Sequence, residues 1–578
     1  MRILALVPAR GGSKGFPGKN LALLAGEPLV RRAWRTLAAL RRRHPGLILR
    51  LSTDSPTIAA AWPEADRPRD LRPSHLATDS ALTMAVIEHE LSVAAASGLP
   101  CDAVLLLQPT TPLVDVDDLD RLISAYVPGR AAVCVRSAEH PPEWGFRADE
   151  AQHLSPAFPH QGSLRRQDLP ACWMPVGVAM ADSALLLRER SFVVPGFSRA
   201  VPVPDNHAVD IDYDADLQHC EALLANRAAA ANVRLLGREI GPGRPCFVIA
   251  EAGVNHNGDP ALALQLIDAA AACGADAVKF QTFCADAIVT GDAPKAQYQV
   301  DQTGGGSQQD MLRKLELPPA AWRQLKQRAA ERGIAFLSTP FDPPSARLLA
   351  ELGLDAFKIS SGDLTCHPLL TQVAAAGRPM ILSSGMADLD EVADAIDMLA
   401  GHPVALLHCV SSYPAPPEAA NLRAMQTLAH CFAIPIGWSD HTPGHDITLA
   451  AVALGACIVE KHLTLDRSMP GPDHAASLDP AQFTAMMQAI RTVEAAMGDG
   501  LKRPHRCEQE ARRIARKSLA AARDLPLGHM LAADDLICLR PGEGLSPALL
   551  PSLVGRSLAA PLRARQLIAP HHLAGVHP

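Results

Sequence analysis

The chain has 578 residues, more than one hydrophobic core accommodates, and at about 150 residues per domain it allows three or four domains. Its 48% hydrophobic and 20% charged residues exclude a disordered polymer and match an ordinary globular protein. A net charge of -7 excludes a general affinity for nucleic acid or an anionic membrane, so an anionic substrate has to be held by local basic clusters. The 13 cysteines contain no Cys-x-x-Cys spacing, and such an odd, scattered set points to reduced thiols in a cytoplasm. The opening MRILALVPARGG has neither a sustained apolar stretch nor a small-residue cleavage site, and reads as a first strand instead of a secretory signal. The longest uncharged apolar run, near Ile447 to Val459, is well short of the roughly 20 residues of a membrane helix, so a soluble cytoplasmic enzyme is the expectation.

The first strand, ILALVPA, runs into the glycine-rich turn RGGSKGFPGKN and then the helical pattern PLVRRAWRTLAAL. Glycines leaving a strand let backbone amides approach phosphates, and Arg10, Lys14 and Lys19, with Asn20 beside them, supply positive charge and a polar amide. The turn is neither a Walker loop nor a dinucleotide fingerprint, and a tight soluble loop is the alternative reading. Further on come LRPSHLATD with Arg72, LLLQPTTPL with Gln108 after a strand, RRQDLP, and VDIDYDADL with Asp210 and Asp212. Carboxylates at i and i+2 on an extended segment point to one face and can share a hard cation that bridges phosphate oxygens; a solvated acidic loop is the alternative.

This wording, PARGGSKGxPGKN above all, resembles the cytidylyltransferases that activate sialic acids, from residue 1 to about 230. The resemblance implies a Rossmann-like nucleotidyltransferase domain in which Arg10, Lys14, Lys19, Asn20, Arg72 and Gln108 hold CTP. It gives Arg10 and Lys19 a catalytic part and has Asp210 and Asp212 carry Mg2+. Two segments depart from the family. Trp173, Pro175, Val176 and Gly177 stand where it reads Tyr-x-x-Asn-Gly-Ala, and Leu82 replaces a hydroxyl in Asp79 to Thr83.

The join after CEALLANRAAAANVRLLG reads as an Ala-rich helical tail and a short turn, EIGPGRP. From about 235 to 500, eight apolar runs alternate with helical patterns: FVIAEAG, AVKFQTF, IAFLSTP, AFKISSG, MILSSG, VALLHCV, IPIGWSD and CIVEKH. Eight such units predict a (β/α)8 TIM barrel, whose chemistry collects at the carboxyl ends of its strands. Glu251, Lys279, Gln281, Lys358, Ser361, Ser383, Tyr413, Ser439, His441 and His462 fall at or just beyond these strands. Two lysines with several serines suit a phosphate, and two imidazoles on successive strands suit one divalent metal, with Asp440, Glu460, Asp466 and Asp473 as nearby acids.

The phrases IAEAGVNHNGD, VKFQTF, FKISSGDLT, LLHCVSSYP, WSDHT and EKHLTLDRxMPGPDH resemble the sialic acid synthases, which condense an N-acyl hexosamine with phosphoenolpyruvate. That resemblance implies that Lys279, Lys358, Ser361, Ser383, Tyr413 and Ser439 hold phosphoenolpyruvate. It assigns Mn2+ or another divalent ion to His441 and His462, the amino sugar to Gln281 and Asp473, and proton transfer or sugar positioning to Glu251. Residues 517–578, with short β-prone pieces between Pro and Gly turns, resemble the β-rich SAF (antifreeze-like, β-clip) module that ends these synthases. In that family an arginine at the Arg540 position reaches a partner's barrel, which implies a homodimer with a domain-swapped module.

The combined expectation is an α/β fusion enzyme of nonulosonic acid metabolism. The barrel makes N-acetylneuraminate from N-acetylmannosamine, or a related acid from a related N-acyl hexosamine, and the first domain transfers CMP from CTP onto it. The alternatives are a legionaminic-type diamino substrate and a first domain that binds nucleotide without catalysis.

Overall fold

The computed structural model describes residues 1–12, 15–158, 165, 167 and 169–574, and the chain divides into two compact units, 1–496 and 497–578. In the first unit, the apolar run predicted at the start forms β1 (Ile3–Pro8), the centre of a six-stranded sheet. The other strands are β2 (Leu47–Ser52), β3 (Ala103–Leu107), β4 (Ala131–Ser137), β5 (Trp173–Asp182) and β6 (Ser198–Pro202), in the spatial order β6-β4-β5-β3-β1-β2. All neighbours are parallel except β5, which runs antiparallel to β3 and β4. The order reverses between β2 and β3 on either side of β1. In an open α/β sheet such a reversal leaves a crevice at the carboxyl ends of the strands. Helix α1 (Leu29–Arg43) buries Leu29, Val30, Leu37 and Leu40, while its other face carries a run of arginines.

The join differs from its reading as a helical tail and turn. Helix α2 (Asp214–Ala229) ends, and Val233–Leu235 pairs antiparallel with Arg238–Ile240 around Leu236 and Gly237, both at positive φ. Val233, Leu235 and Ile240 then pack with Phe247, Ile249, Leu337 and Ile381 in one apolar cluster. The alternation of V-R-L and R-E-I around Leu-Gly was the available hairpin signal.

The eight predicted apolar runs form eight parallel strands: β7 (Phe247–Gly253), β8 (Ala277–Thr282), β9 (Ala335–Pro340), β10 (Phe357–Ile359), β11 (Met380–Ser383), β12 (Val404–Cys409), β13 (Ile436–Asp440) and β14 (Ile458–His462). Their ladders run β9-β8-β7-β14-β13-β12-β11-β10, and β9 and β10 lie side by side to complete the ring. At Gly437 an added Cβ would lie 2.4 Å from the Ile458 carbonyl, so only glycine lets β13 approach β14 this closely.

Helices α3 (Leu389–Met398) and α4 (Ala424–Phe432) of the barrel face the first sheet domain. Arg31 pairs with Asp390, and Arg42 with Asp394 and Asp397. Arg35 lies over the Phe432 ring at 5.6 Å. These half-exposed pairs orient the two domains more than they stabilise them.

The second unit contains the antiparallel pair β15 (Ser518–Ala521) and β16 (Leu536–Leu539), closed over Leu519, Leu525, Leu531, Leu558 and Ile568. All 13 cysteines are free thiols. Among the described residues no helix is long and apolar enough to cross a membrane.

Candidate active sites

At the carboxyl ends of β1 and β3 lies a cavity of about 280 Å³ lined by Arg10, Gly12, Lys19, Asn20, Arg72 and Gln108. The structure therefore gathers these predicted residues; Lys14 lies outside the described residues. Arg10 pairs with Asp79 at 2.8 Å, and Asn20 Nδ2 donates to the Arg10 carbonyl at 2.9 Å, which ties the turn together. Arg72 is buried, its Nε has no hydrogen-bond partner, and its nearest carboxylate, Asp54, is 3.8 Å away. Burial lowers the Arg72 pKa, and a bound anion would relieve that cost.

Asp210 and Asp212 line a second, larger cavity of about 1030 Å³, together with Arg136, Val176 and Tyr213. Lys19, in the lining of the first cavity, reaches the segment that lines the second: its Nζ donates to the Ile211 carbonyl at 2.8 Å and pairs with Asp212 at 3.1 Å. Burial pushes the Asp210 carboxyl up, and the charges of Asp212 and Asp216 add to this against a hydrogen bond from Thr110. Crowded carboxylates of this kind fit a hard divalent cation. Asp115, Asp118 and His207 also come within ligand distance of one another. There, however, Asp115 and Asp118 form a helix capping box, and Asp118 takes the His207 Nδ1–H at 2.7 Å, so the group reads as a cap network.

Gln108 lies across Gly177, where an added Cβ would be 2.7 Å from Gln108 Oε1. Gly177→Ala should displace the Gln108 side chain and, with CTP bound here as the resemblance implies, raise its KM about tenfold, the equivalent of one hydrogen bond. An unaltered KM in steady-state assays would remove Gln108 from the nucleotide site.

In the barrel, Lys279 Nζ sits 2.6 Å from Glu251, 3.6 Å from Glu460 and 3.1 Å from Thr339 Oγ1. Lys358 Nζ donates to Ser383 Oγ at 2.5 Å and lies 3.9 Å from Glu460. Ser439 Oγ donates to Glu460 at 2.8 Å. Burial raises the Glu460 carboxyl, but Lys279 and Lys358 outweigh it and hold it down to about 2. Glu460, counted in the sequence only as a nearby acid, is thus the counter-ion that gathers both lysines and Ser439. Ser361, just past β10, shares a 2.9 Å hydrogen bond with Ser411, just past β12.

The His441 and His462 rings lie 5.6 Å apart, with the Tyr413 ring 4.2 Å from His441 and tilted 41° to it. His441 Nδ1 donates to the Val410 carbonyl at 2.7 Å, which leaves Nε2 with a lone pair. His462 Nδ1 is buried without a partner. Burial lowers His441 to about 4, helped by His462, and lowers His462 to about 3, helped by Lys279, so both imidazoles are neutral. Two neutral imidazoles with unclaimed nitrogens fit a divalent metal. Asp440, by contrast, is spent on structure: it pairs with Lys461 at 2.9 Å, both side chains fully buried, and accepts from Thr442 and Thr448. Asp466 is exposed and caps Ser468.

Glu251 accepts from Gln281 Nε2 at 3.0 Å, and burial raises its pKa. Burial and the Glu251 charge push the Asp473 carboxyl to about 7. Between 3.8 and about 7 the folded state keeps a proton that the unfolded chain has released, so this group lowers stability as pH rises through that window. Asp473→Asn should remove this component; denaturant midpoints at about pH 5 and about pH 8 that change in parallel for variant and wild type would contradict it. Tyr298, its ring 5.4 Å from that of Tyr413 and its pKa raised by burial and by Asp473, was not singled out from the sequence. Its signal there was one aromatic in DAPKAQYQ, remote from any strand end. Arg540 is exposed in the second unit.

Comparison with known proteins matches residues 4–137 to a cytidylyltransferase family, residues 266–502 to the NeuB family and residues 516–574 to the SAF domain. N,N'-diacetyllegionaminic acid synthase of Legionella pneumophila is 44% identical over 341 residues, 58% of this chain and 96% of that protein. The protein of the same description from Campylobacter jejuni is 46% identical over 328 residues, 56% of this chain and 98% of its own length. Human N-acetylneuraminate-9-phosphate synthase is 36% identical over 327 residues, 56% of this chain and 91% of its own.

Proposed function

From the premise that the chain belongs to the NeuB family, with a cytidylyltransferase domain before the barrel and a SAF domain after it, we propose that it makes a nonulosonic acid and then activates it with CMP. The observation that carries the synthase half is the buried cluster of Lys279, Glu460, Lys358, Ser383 and Ser439 beside two neutral histidines. Phosphoenolpyruvate would take over the lysines and serines from Glu460, with Ser361 and Tyr413 at the edge of the site. A divalent metal, manganese in our reading, would be held by His441 and His462 and would supply Lewis acidity toward the aldehyde oxygen of the open-chain sugar. Glu251, with its raised pKa and its Lys279 and Gln281 partners, would transfer a proton or position the sugar; Gln281 and Asp473 would orient the amino sugar. Arg540 would reach that sugar through a domain-swapped homodimer.

In the first domain, Arg10, Lys14, Lys19, Asn20, Arg72 and Gln108 would hold CTP, and Asp210 and Asp212 would carry Mg2+ in the neighbouring cavity that Lys19 reaches. Attack of the acid's anomeric hydroxyl on the α-phosphorus releases pyrophosphate, whose developing charge Arg10 and Lys19 would neutralise. We read the enzyme as cytoplasmic, in keeping with its free thiols.

The substrate we propose is N-acetylmannosamine, giving N-acetylneuraminate. A second reading, a legionaminic-type diamino hexosamine, is favoured by the 44% and 46% identity to legionaminic acid synthases against 36% to the human protein. Mass spectrometry of products formed from each sugar with phosphoenolpyruvate, CTP, Mn2+ and Mg2+ separates them. CMP-N-acetylneuraminate supports the first reading and a CMP-diamino acid the second. Free acid without CMP would mean that the first domain does not catalyse, and no product from either sugar would overturn the proposal.

A further inference from the structure

Between the first sheet domain and the barrel, inside the first unit, lies another cavity, of about 210 Å³, lined by Arg32, Arg35 and Arg227 on one side and by Asp397, Cys431 and Phe432 of the barrel on the other. Arg32 is only 7% exposed. Its Nε donates to the Pro112 carbonyl at 2.9 Å, but Nη1 is buried with no hydrogen-bond partner. The one carboxylate beside it, Glu27, is 3.6 Å away and is already gripped by Arg35 through two bonds of 2.8 and 3.1 Å. Glu27 is therefore shared between the buried Arg32 and the half-buried Arg35, and Arg35 holds it more closely.

The other carboxylates of the cavity serve groups other than Arg32: Asp115 caps its own helix beside His207, and Asp397 supports Arg35 from the barrel side. Asp397 is paired with Arg42, and burial raises the Cys431 thiol, which stays neutral beside Arg32. A buried cation without a full counter-charge is costly, and water filling the void could satisfy Nη1 without neutralising it. The void is several times the roughly 30 Å³ share of one water and is bordered by polar groups, so it has room for a tetrahedral anion.

We propose that this interdomain cavity binds a small oxyanion of the phosphate class, held by the Arg32 fork with Arg35 and Arg227 around it. Both proposed reactions release such ions, orthophosphate from the barrel and pyrophosphate from the first domain. The bound ion would sit one hydrogen bond from Pro112, at the end of the turn that carries Gln108 into the nucleotide cavity. The site would thus join the two domains at a point where the first can sense it.

The test uses the full chain crystallised with selenate, a phosphate mimic with an anomalous signal, and a Thr36→Leu variant that fills the cavity from α1 without touching either active site. The wild type should show an anomalous peak within hydrogen-bond reach of Arg32 Nη1. The variant should lose that peak while retaining any in the nucleotide cavity and the barrel. Calorimetric titration with orthophosphate, and separately with pyrophosphate, should count one site fewer in the variant for whichever ion fits. Water density alone in the wild-type cavity at saturating selenate, or equal stoichiometry for both ions in both proteins, would overturn the proposal. These readouts measure binding only, so they stand or fall whatever substrate the barrel uses.

Discussion

Lys279→Met is expected to destabilise the barrel by about 3–5 kcal/mol, the usual loss when one partner of a buried ion pair is removed, and to abolish phosphoenolpyruvate-dependent phosphate release. Methionine fills nearly the same volume, so packing survives. What remains is a pair of buried carboxylates, Glu251 and Glu460, that have lost the ammonium 2.6 and 3.6 Å away. One of them must then bind a proton or the strand must move. Adding Glu251→Gln removes one stranded charge and should recover much of the stability without activity, a coupling that a double-mutant cycle in denaturant reads directly. If the single variant unfolds at the wild-type midpoint, the charges assigned to this cluster are wrong.

Loss of either imidazole to which we assign the barrel's metal gives the other large effect. His441→Gln and His462→Gln should each lower the synthase rate by about 10³-fold, the several kcal/mol that Lewis-acid polarisation of a carbonyl supplies, and should lose the barrel's metal on elemental analysis. CMP transfer to a supplied acid should continue, because its carboxylates lie in the other domain. Since His441 and His462 are held down to about 4 and about 3, the wild type should keep this metal below the ordinary histidine value of 6.5. A variant that retains metal and full synthase rate would remove that histidine from the site.

The order and class of the domains were legible in the chain because local signals repeat. Eight apolar runs of strand length, each followed by a helical pattern, leave few arrangements other than a barrel, and polar residues at their ends mark its mouth. The glycine-rich turn after β1 and the Asp-x-Asp segment were also legible, and the structure places each in the lining of a cavity. Partnership was not legible. Nothing local separates Asp440 from Glu460, each an acid on a neighbouring strand. Only the folded ring turns Asp440 onto the buried Lys461 and Glu460 onto the buried Lys279 and Lys358.

The sequence by itself determined the barrel's eight strands and which chemical groups stand near their ends, though not the hairpin at the join, because periodicity and residue type act over a few residues. The tertiary structure alone decided which charges neutralise one another, that both histidines are buried and neutral, that Tyr298 reaches Tyr413, and that Arg32 faces a void between two domains. Each of these depends on burial and on distances between segments far apart in the chain, and it is burial that makes a charge costly enough to select its partner.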